Sequence, residues 1–389
     1  MQQKTSIIST VQKYYLFQFF GNLAFFSPVI VLFWRANGLS MAQIMLLQSI
    51  YAVGVSIFEL PTGAFADYFG KKHSLCIGAL FWTMGMIWYG YSHSFWQFAL
   101  GEITVGVGAA FISGADRAYL HYILRLNNDE KSFNKVEGKA RGFIQIAQAV
   151  ASLAGGFIGS FSLAATLFAT SISNFINVLL VPTFPPIRKE SSDKIHYFKL
   201  IKDSIFTVLT NREILWYTLF FGLFNALVWP LQFYAQEYLR VLQLPVYFFG
   251  ITFMMFNVLA AVGLAFTHQF DTAVKEKSFF ILSIVSSCTL LTLMMFPSIY
   301  ILPLWSLFLI AAFMIQTIIS GRVLQIVPHE KAATVLSIQN LLRRLIYALI
   351  IPFLGMITDS VGMRPALMGY SFLMFGLLGF LIIIRKSFK

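Results

Sequence analysis

Residues 61–72 read Pro61-Thr62-Gly63-Ala64-Phe65-Ala66-Asp67-Tyr68-Phe69-Gly70-Lys71-Lys72, between two apolar runs each long enough to cross a bilayer. Gly63 and Gly70 allow the close backbone approach that membrane helix interfaces need. Asp67 falls where hydrocarbon gives way to water, and its carboxylate suits a neighbouring helix N-terminus. Lys71 and Lys72 suit an anionic membrane face. The stretch reads as a charged joint between membrane spans.

Outward from that joint the chain stays apolar. Of 389 residues, 58% are hydrophobic, 17% aromatic and only 11% charged, which excludes an ordinary soluble protein. The net charge of +12 is spread over alternate loops rather than gathered on one soluble face, so nucleic acid is not expected as a partner. Cys76 and Cys288 lie in apolar runs and read as small packing residues. No cleavable leader is expected, because the apolar run after Lys13 is long enough to remain a span.

Apolar runs and turn signals predict twelve spans, near 14–34, 41–62, 74–92, 95–117, 138–160, 163–182, 212–236, 246–268, 278–296, 299–320, 332–356 and 365–384. Of the 28 Lys and Arg, 23 fall on the side of the termini, three (Arg35, Arg240, Arg364) on the other, and Arg343 and Arg344 inside span eleven. That asymmetry predicts a multi-pass protein of the cell (inner) membrane with both termini in the cytoplasm. Prolines 182, 185 and 186 open the longest polar stretch, whose charges alternate with apolar residues as in an amphipathic surface helix. The predicted organisation is one bundle over 1–182, a cytoplasmic linker over 183–211 and a second bundle over 212–389.

Internal repetition supports two halves. Asp67 and Lys71 recur as Asp271 and Lys275, 204 residues later. Gly355-x-x-x-Asp359-x-x-Gly362-x-Arg364 repeats the motif in the predicted outer loop after span eleven, as nested inverted repeats would leave it.

Gly63, Asp67, Gly70, Lys71 and Lys72 fit the pattern G-x-x-x-D-x-x-G-K/R-K/R. With the span count and central loop, the chain resembles the major facilitator superfamily of transporters over essentially its whole length. The resemblance implies an all-α membrane protein of twelve transmembrane helices in two pseudosymmetric six-helix bundles, commonly a monomer. It also implies that spans one, four, seven and ten line the pathway. An inner latch is implied in which Lys71 pairs with Asp116 and Asp67 faces residues 332–335, with Asp271 and Arg322 as second-half elements. The chain departs from the pattern at Tyr68, where the family usually has Arg, and at 267–277, which lacks both motif glycines.

Ionisable groups at membrane depth are costly and usually serve a cavity or a partner. Glu102 stands in Glu102-x-x-x-Gly106-x-Gly108, similar to a fourth-helix motif of proton-coupled drug antiporters with Glu in place of Arg. A carboxyl shielded from water can load and release a proton, so Glu102 is the candidate for proton coupling; a structural role near the outer surface is the alternative. Candidates for the substrate cavity are Asn22, Phe26, Asn225, Gln232, Gln316, Asn340, Arg343 and Arg344. Consecutive helical positions project about 100° apart, so at most one of the two arginines points squarely into a central cavity. Phenylalanines around Asn22 and at 220, 221 and 224 suit flat, apolar or cationic molecules, though most must simply pack.

The histidines show no metal-ligand spacing, and no cofactor or metal is expected. No G-x-x-x-x-G-K-S/T loop is present, so an ion or substrate gradient must drive transport. Ionisable groups in the spans are too sparse for a membrane enzyme. The predicted activity is secondary active transport by alternating access, as proton-coupled export of an amphipathic or aromatic small molecule. Proton-linked uptake of an organic anion is the alternative within transport. A non-transporting sensor or scaffold would instead show lost cavity polarity or an added soluble domain.

Overall fold

The computed structural model describes residues 2–126, 129–185, 206–327 and 329–385, and every regular element in them is helical. The first half contains α1 Gln2–Gly21, α2 Ile30–Ala36, α3 Met41–Phe69, α4 Lys71–Gly90, α5 Phe95–Ser113, α6 Asp116–Leu126, α7 Phe133–Phe161 and α8 Leu163–Leu180. The second contains α9 Arg212–Val228, α10 Leu231–Val241, α11 Val246–Ala265, α12 Thr267–Val274, α13 Ser278–Met295, α14 Ser306–Ile326, α15 His329–Val361 and α16 Met363–Ile383. Ten helical stretches among the described residues are long and apolar enough to cross a membrane. The more polar α1–α2 and α4 supply the other two of the twelve spans. Most of the amphipathic helix expected in 183–211 lies outside the described residues.

Mutual contacts divide the chain into two units. Unit 1 comprises Met1–Leu39, Ile50–Ser191 and Leu244–Met254; unit 2 comprises Ser40–Ser49, Ser192–Gln243 and Met255–Lys389. Each unit therefore includes one short segment from the other half of the sequence.

Several helices run further than the apolar runs suggested. Span two was expected to end near 62, yet α3 continues to Phe69 and carries Gly63 and Asp67 on the helix. The joint to α4 is Gly70 alone, at φ +101°. Likewise the expected loop after span eleven is mostly the last turn of α15, which carries Asp359, and Gly362 at φ +87° is the whole joint. Only glycine enters that region without a Cβ penalty, so one residue can reverse the chain. The corresponding joint after α12 instead uses Lys275, at φ +49° and ψ −122°. A lysine there is strained, and Lys275→Gly is expected to stabilise the protein by about 1 kcal/mol in thermal unfolding.

Spans one and seven are broken, where continuous helices were expected. After Gly21 the chain leaves the helix until Ile30, around Asn22 and Pro28. Asn22 Nδ2 donates back to the Gln18 carbonyl (2.8 Å), and Pro28 has no N–H to continue a helix. Backbone acceptors near this end find partners on α8: Asn177 Nδ2 donates to Phe17 O (3.0 Å) and Ser173 Oγ to Phe20 O (2.5 Å). In lipid, acceptors left without partners would cost several kcal/mol each.

Span seven breaks at Trp229–Pro230 with the same devices. Asn225 Nδ2 donates to Phe221 O (3.0 Å), and Tyr370 OH on α16 donates to Leu227 O (3.0 Å). Tyr370→Phe keeps the ring and removes that donor, so it is expected to lower stability by about 1 kcal/mol in thermal unfolding.

The break in span one rests on a ladder of small residues. Ala147, Ala151, Gly155 and Gly159 recur every fourth position and so share one face of α7. Leu23 packs with Ala147 and Ala151. At Gly155 a Cβ would fall 1.9 Å from the Phe25 carbonyl oxygen. This is the small-residue packing that lets membrane helices approach closely.

Candidate functional site

In unit 1, Asn22 and Phe26 lie in the break of span one, both half-buried. Glu102 lies seven residues into α5, about 10 Å of helix rise, and is 7% exposed. Tyr89 OH donates to its Oε1 at 2.8 Å. The Tyr89 ring sits against Phe98 and Trp34, with centroids 5.3 and 6.4 Å away. The carboxyl is thus held by a phenol within an aromatic cluster, near the end of α5 where α4 finishes.

In unit 2, Asn225, Phe221 and Arg343 come together. Asn225 donates to the Phe221 carbonyl, and the Arg343 guanidinium stands 5.9 Å from the Phe221 ring centroid. Gln339, one turn before Arg343, donates to Thr218 Oγ1 at 2.9 Å in a buried bond between α15 and α9. Arg343 therefore lies on the face of α15 that packs against α9. Arg344 is rotated about 100° from it and shares its helix stripe with Asn340. Gln232 is half-buried just beyond the span-seven break, and Gln316 on α14 is exposed. Phe220 and Phe224, among the rings that suit either substrate or packing, are fully buried and stack together with centroids 5.9 Å apart. They belong to the packing core beside Trp216 and Phe279.

The residues assigned to the latch are arranged differently from the implied pairing. Lys71 Nζ meets Asp67 (3.2 Å), one turn back, rather than Asp116. Asp116 accepts the Arg117 N–H (2.6 Å) and a hydrogen bond from Gln18. Lys72 Nζ reaches Pro182 O (2.7 Å) and Phe184 O (2.6 Å), placing a cation where α8 ends with unsatisfied carbonyls. Gly63 lets α5 approach, its Cα lying 3.6 Å from a Cβ built on Gly114. The side chains at 332 and 333, within the segment expected opposite Asp67, lie outside the described residues.

In unit 2, Arg322 pairs with Asp271 (2.7 Å) and Glu276 (3.5 Å). Arg385 also pairs with Glu276 and stacks 4.5 Å from the Trp216 ring.

A second buried carboxylate was missed. Glu237, 4% exposed, forms a bidentate pair with Arg240 at 2.7 and 2.9 Å. Span seven was expected to end at 236, which left both outside it; α10 continues to Val241. The i,i+3 Glu–Arg spacing was the available signal. Among the described residues, no group of three or more His, Cys, Asp or Glu is placed to hold a metal ion.

Broken helices, glycine joints and buried ionisable groups mark an all-helical polytopic membrane protein with the fold of a transporter. The chain belongs to the Major Facilitator Superfamily, whose family model matches residues 15–349. It is 27% identical over 235 residues to "Multidrug resistance protein 2" of Bacillus subtilis (strain 168), covering 57% of this chain and 56% of that one. It is 36% identical over 73 residues to "Probable L-galactonate transporter" of Escherichia coli (strain K12), covering 19% of this chain and 16% of that one. These alignments span well under two thirds of the relatives' lengths. Among solved structures, it superposes on nucleoside transporter NupG with a TM-score of 0.75 at 15% identity, covering 100% of this chain and 98% of that one. It superposes on a D-xylose-proton symporter with a TM-score of 0.77 at 15% identity, covering 98% and 97%.

Proposed function

We propose that this protein is a secondary active transporter working by alternating access, which exports an amphipathic or aromatic small molecule in exchange for protons. The observation that carries the reading is the Glu102 carboxyl, buried within an apolar span and held by the Tyr89 phenol. Such a group can exchange a proton without leaving an unsatisfied charge in lipid. The multidrug-resistance relative supports an exported, chemically broad substrate. The half-buried Phe26 beside Asn22 offers an aromatic face and a hydrogen-bonding amide for such a molecule. Within unit 2, taken by itself, Asn225, Gln232, Gln316, Asn340 and Arg344 are the polar groups proposed to serve substrate, and Arg343 supports the α9 face. The protein acts as a monomer in the cell membrane with both termini in the cytoplasm, as the 23-to-3 basic asymmetry favours.

The test uses purified protein in liposomes with a trapped pH dye and ethidium as the probe. An imposed ethidium gradient is expected to drive proton movement in the opposite direction. Proton movement with the probe would overturn exchange and favour co-transport. Ethidium movement without any proton flux would overturn coupling.

A further inference from the structure

The first turn of α3 has four backbone N–H groups with no partner inside the helix. Its own cap serves some of them: Gln43 N–H donates to Ser40 Oγ (3.3 Å), and Ser40 N–H donates to Gln43 Oε1 (3.0 Å). The next two donors go elsewhere. Met41 N–H donates to Asp359 Oδ1 (2.9 Å) and Ala42 N–H to Asp359 Oδ2 (2.8 Å), from more than three hundred residues away. Both carboxylate oxygens are thus seated on the positive end of a helix dipole.

Two further contacts lie along the same seam within unit 2. One turn before Asp359, a Cβ on Gly355 would fall 2.7 Å from Ala42 Cα and from Met41 O, so only glycine admits this approach. Deeper along both helices, Ser49 Oγ donates to Ala348 O at 2.9 Å. From Ala348 to Asp359 the seam follows about 16 Å of α15.

We propose that Asp359 is a positioning residue for transport: a charge latch that clasps the N-terminal end of α3 and whose release is a step of the cycle. The inference rests on the alternating-access reading above. Its carboxylate is the reversible part, because two charge-assisted bonds to backbone amides form or break with small helix displacement. Gly355 sets the distance at which the latch closes. Asp67 ends α3 in the same D-x-x-G arrangement, but its carboxylate is bound to Lys71 one turn on. Of the two copies, the Asp359 one is closed on a helix end in this structure.

The experiment follows a membrane-impermeant maleimide reacting with Ser49→Cys in lipid nanodiscs, where both membrane faces are open to reagent. Peptide-resolved detection lets native Cys76 serve as the internal reference. Asp359→Asn keeps the shape and removes the charge; it is expected to raise the labelling rate at position 49 by about tenfold and leave Cys76 within about twofold. Gly355→Ala retains the carboxylate but wedges the same helices, and is expected to act in the same direction. The double variant should fall short of the product of the two effects, since both act on one contact. Unchanged labelling at position 49 in folded Asp359→Asn, or in Gly355→Ala if the former does not fold, overturns the latch. No substrate is needed, so the readout is separate from the ethidium test. Faster labelling with no ethidium movement by the unsubstituted protein keeps Asp359 as a clasp on α3 and removes export of this cationic aromatic class, so the two failures are told apart.

Discussion

Glu102→Gln is expected to leave exchange of ethidium between two pools at equal pH within about threefold, and to reduce proton movement coupled to an ethidium gradient to the leak of empty liposomes. The two side chains share shape. The substituted amide would still present an oxygen to the Tyr89 hydroxyl, so the 2.8 Å bond and the aromatic packing around it are retained. What is lost is the ability to bind and release a proton. Glu102→Asp offers a second comparison: it keeps the acid but withdraws it from Tyr89, and should give partial coupling. Coupled proton flux that survives in Glu102→Gln would remove Glu102 as the carrier. Glu237 would be the weaker next candidate, because both of its carboxylate oxygens are already taken by Arg240.

Gly155→Ala is expected to destabilise the protein by about 3 kcal/mol or more, the upper part of the range for overpacking. The added methyl would fall 1.9 Å from the carbonyl oxygen of Phe25, a backbone atom in the break of span one. A flexible side chain could turn aside; this backbone is already held through Leu23 on Ala147 and Ala151, and through Phe20 O on Ser173. Gly369→Ala on α16 is the matched control, because nothing lies within 4 Å of its Cβ position and alanine favours helix. It should be neutral or raise stability by up to about 1 kcal/mol. Thermal unfolding of both variants in one detergent makes the comparison. Equal melting temperatures would mean that the ladder on α7 does not support the break.

Much of the architecture was legible because it depends on local sums. Hydropathy over about twenty residues locates a span whatever it packs against, and counting Lys and Arg needs no contacts. The D-x-x-G motif was equally visible, and its glycine requirement is a property of one backbone angle. The breaks in spans one and seven were not read, although Asn22 with Pro28 and Asn225 with Pro230 stood in view. Membrane helices tolerate both residue types when a neighbour supplies the missing partners, so local signals alone do not decide between a kink and a gap. Arg343 shows the same limit. Its depth in span eleven was evident, while its place over Phe221 depended on how α15 turns against α9.

By itself, the sequence determined a polytopic helical membrane protein with a repeated charged joint and a strong basic asymmetry, since each follows from composition within a few turns of chain. Only the tertiary structure decided which groups meet. Asn177 satisfies Phe17 across 160 residues, and Asp359 satisfies Met41 across 318. The first bond is selected by burial in lipid, where every polar group needs a partner that nearest neighbours cannot always provide; the second, on an exposed carboxylate, is selected by the positive end of a helix brought close in space.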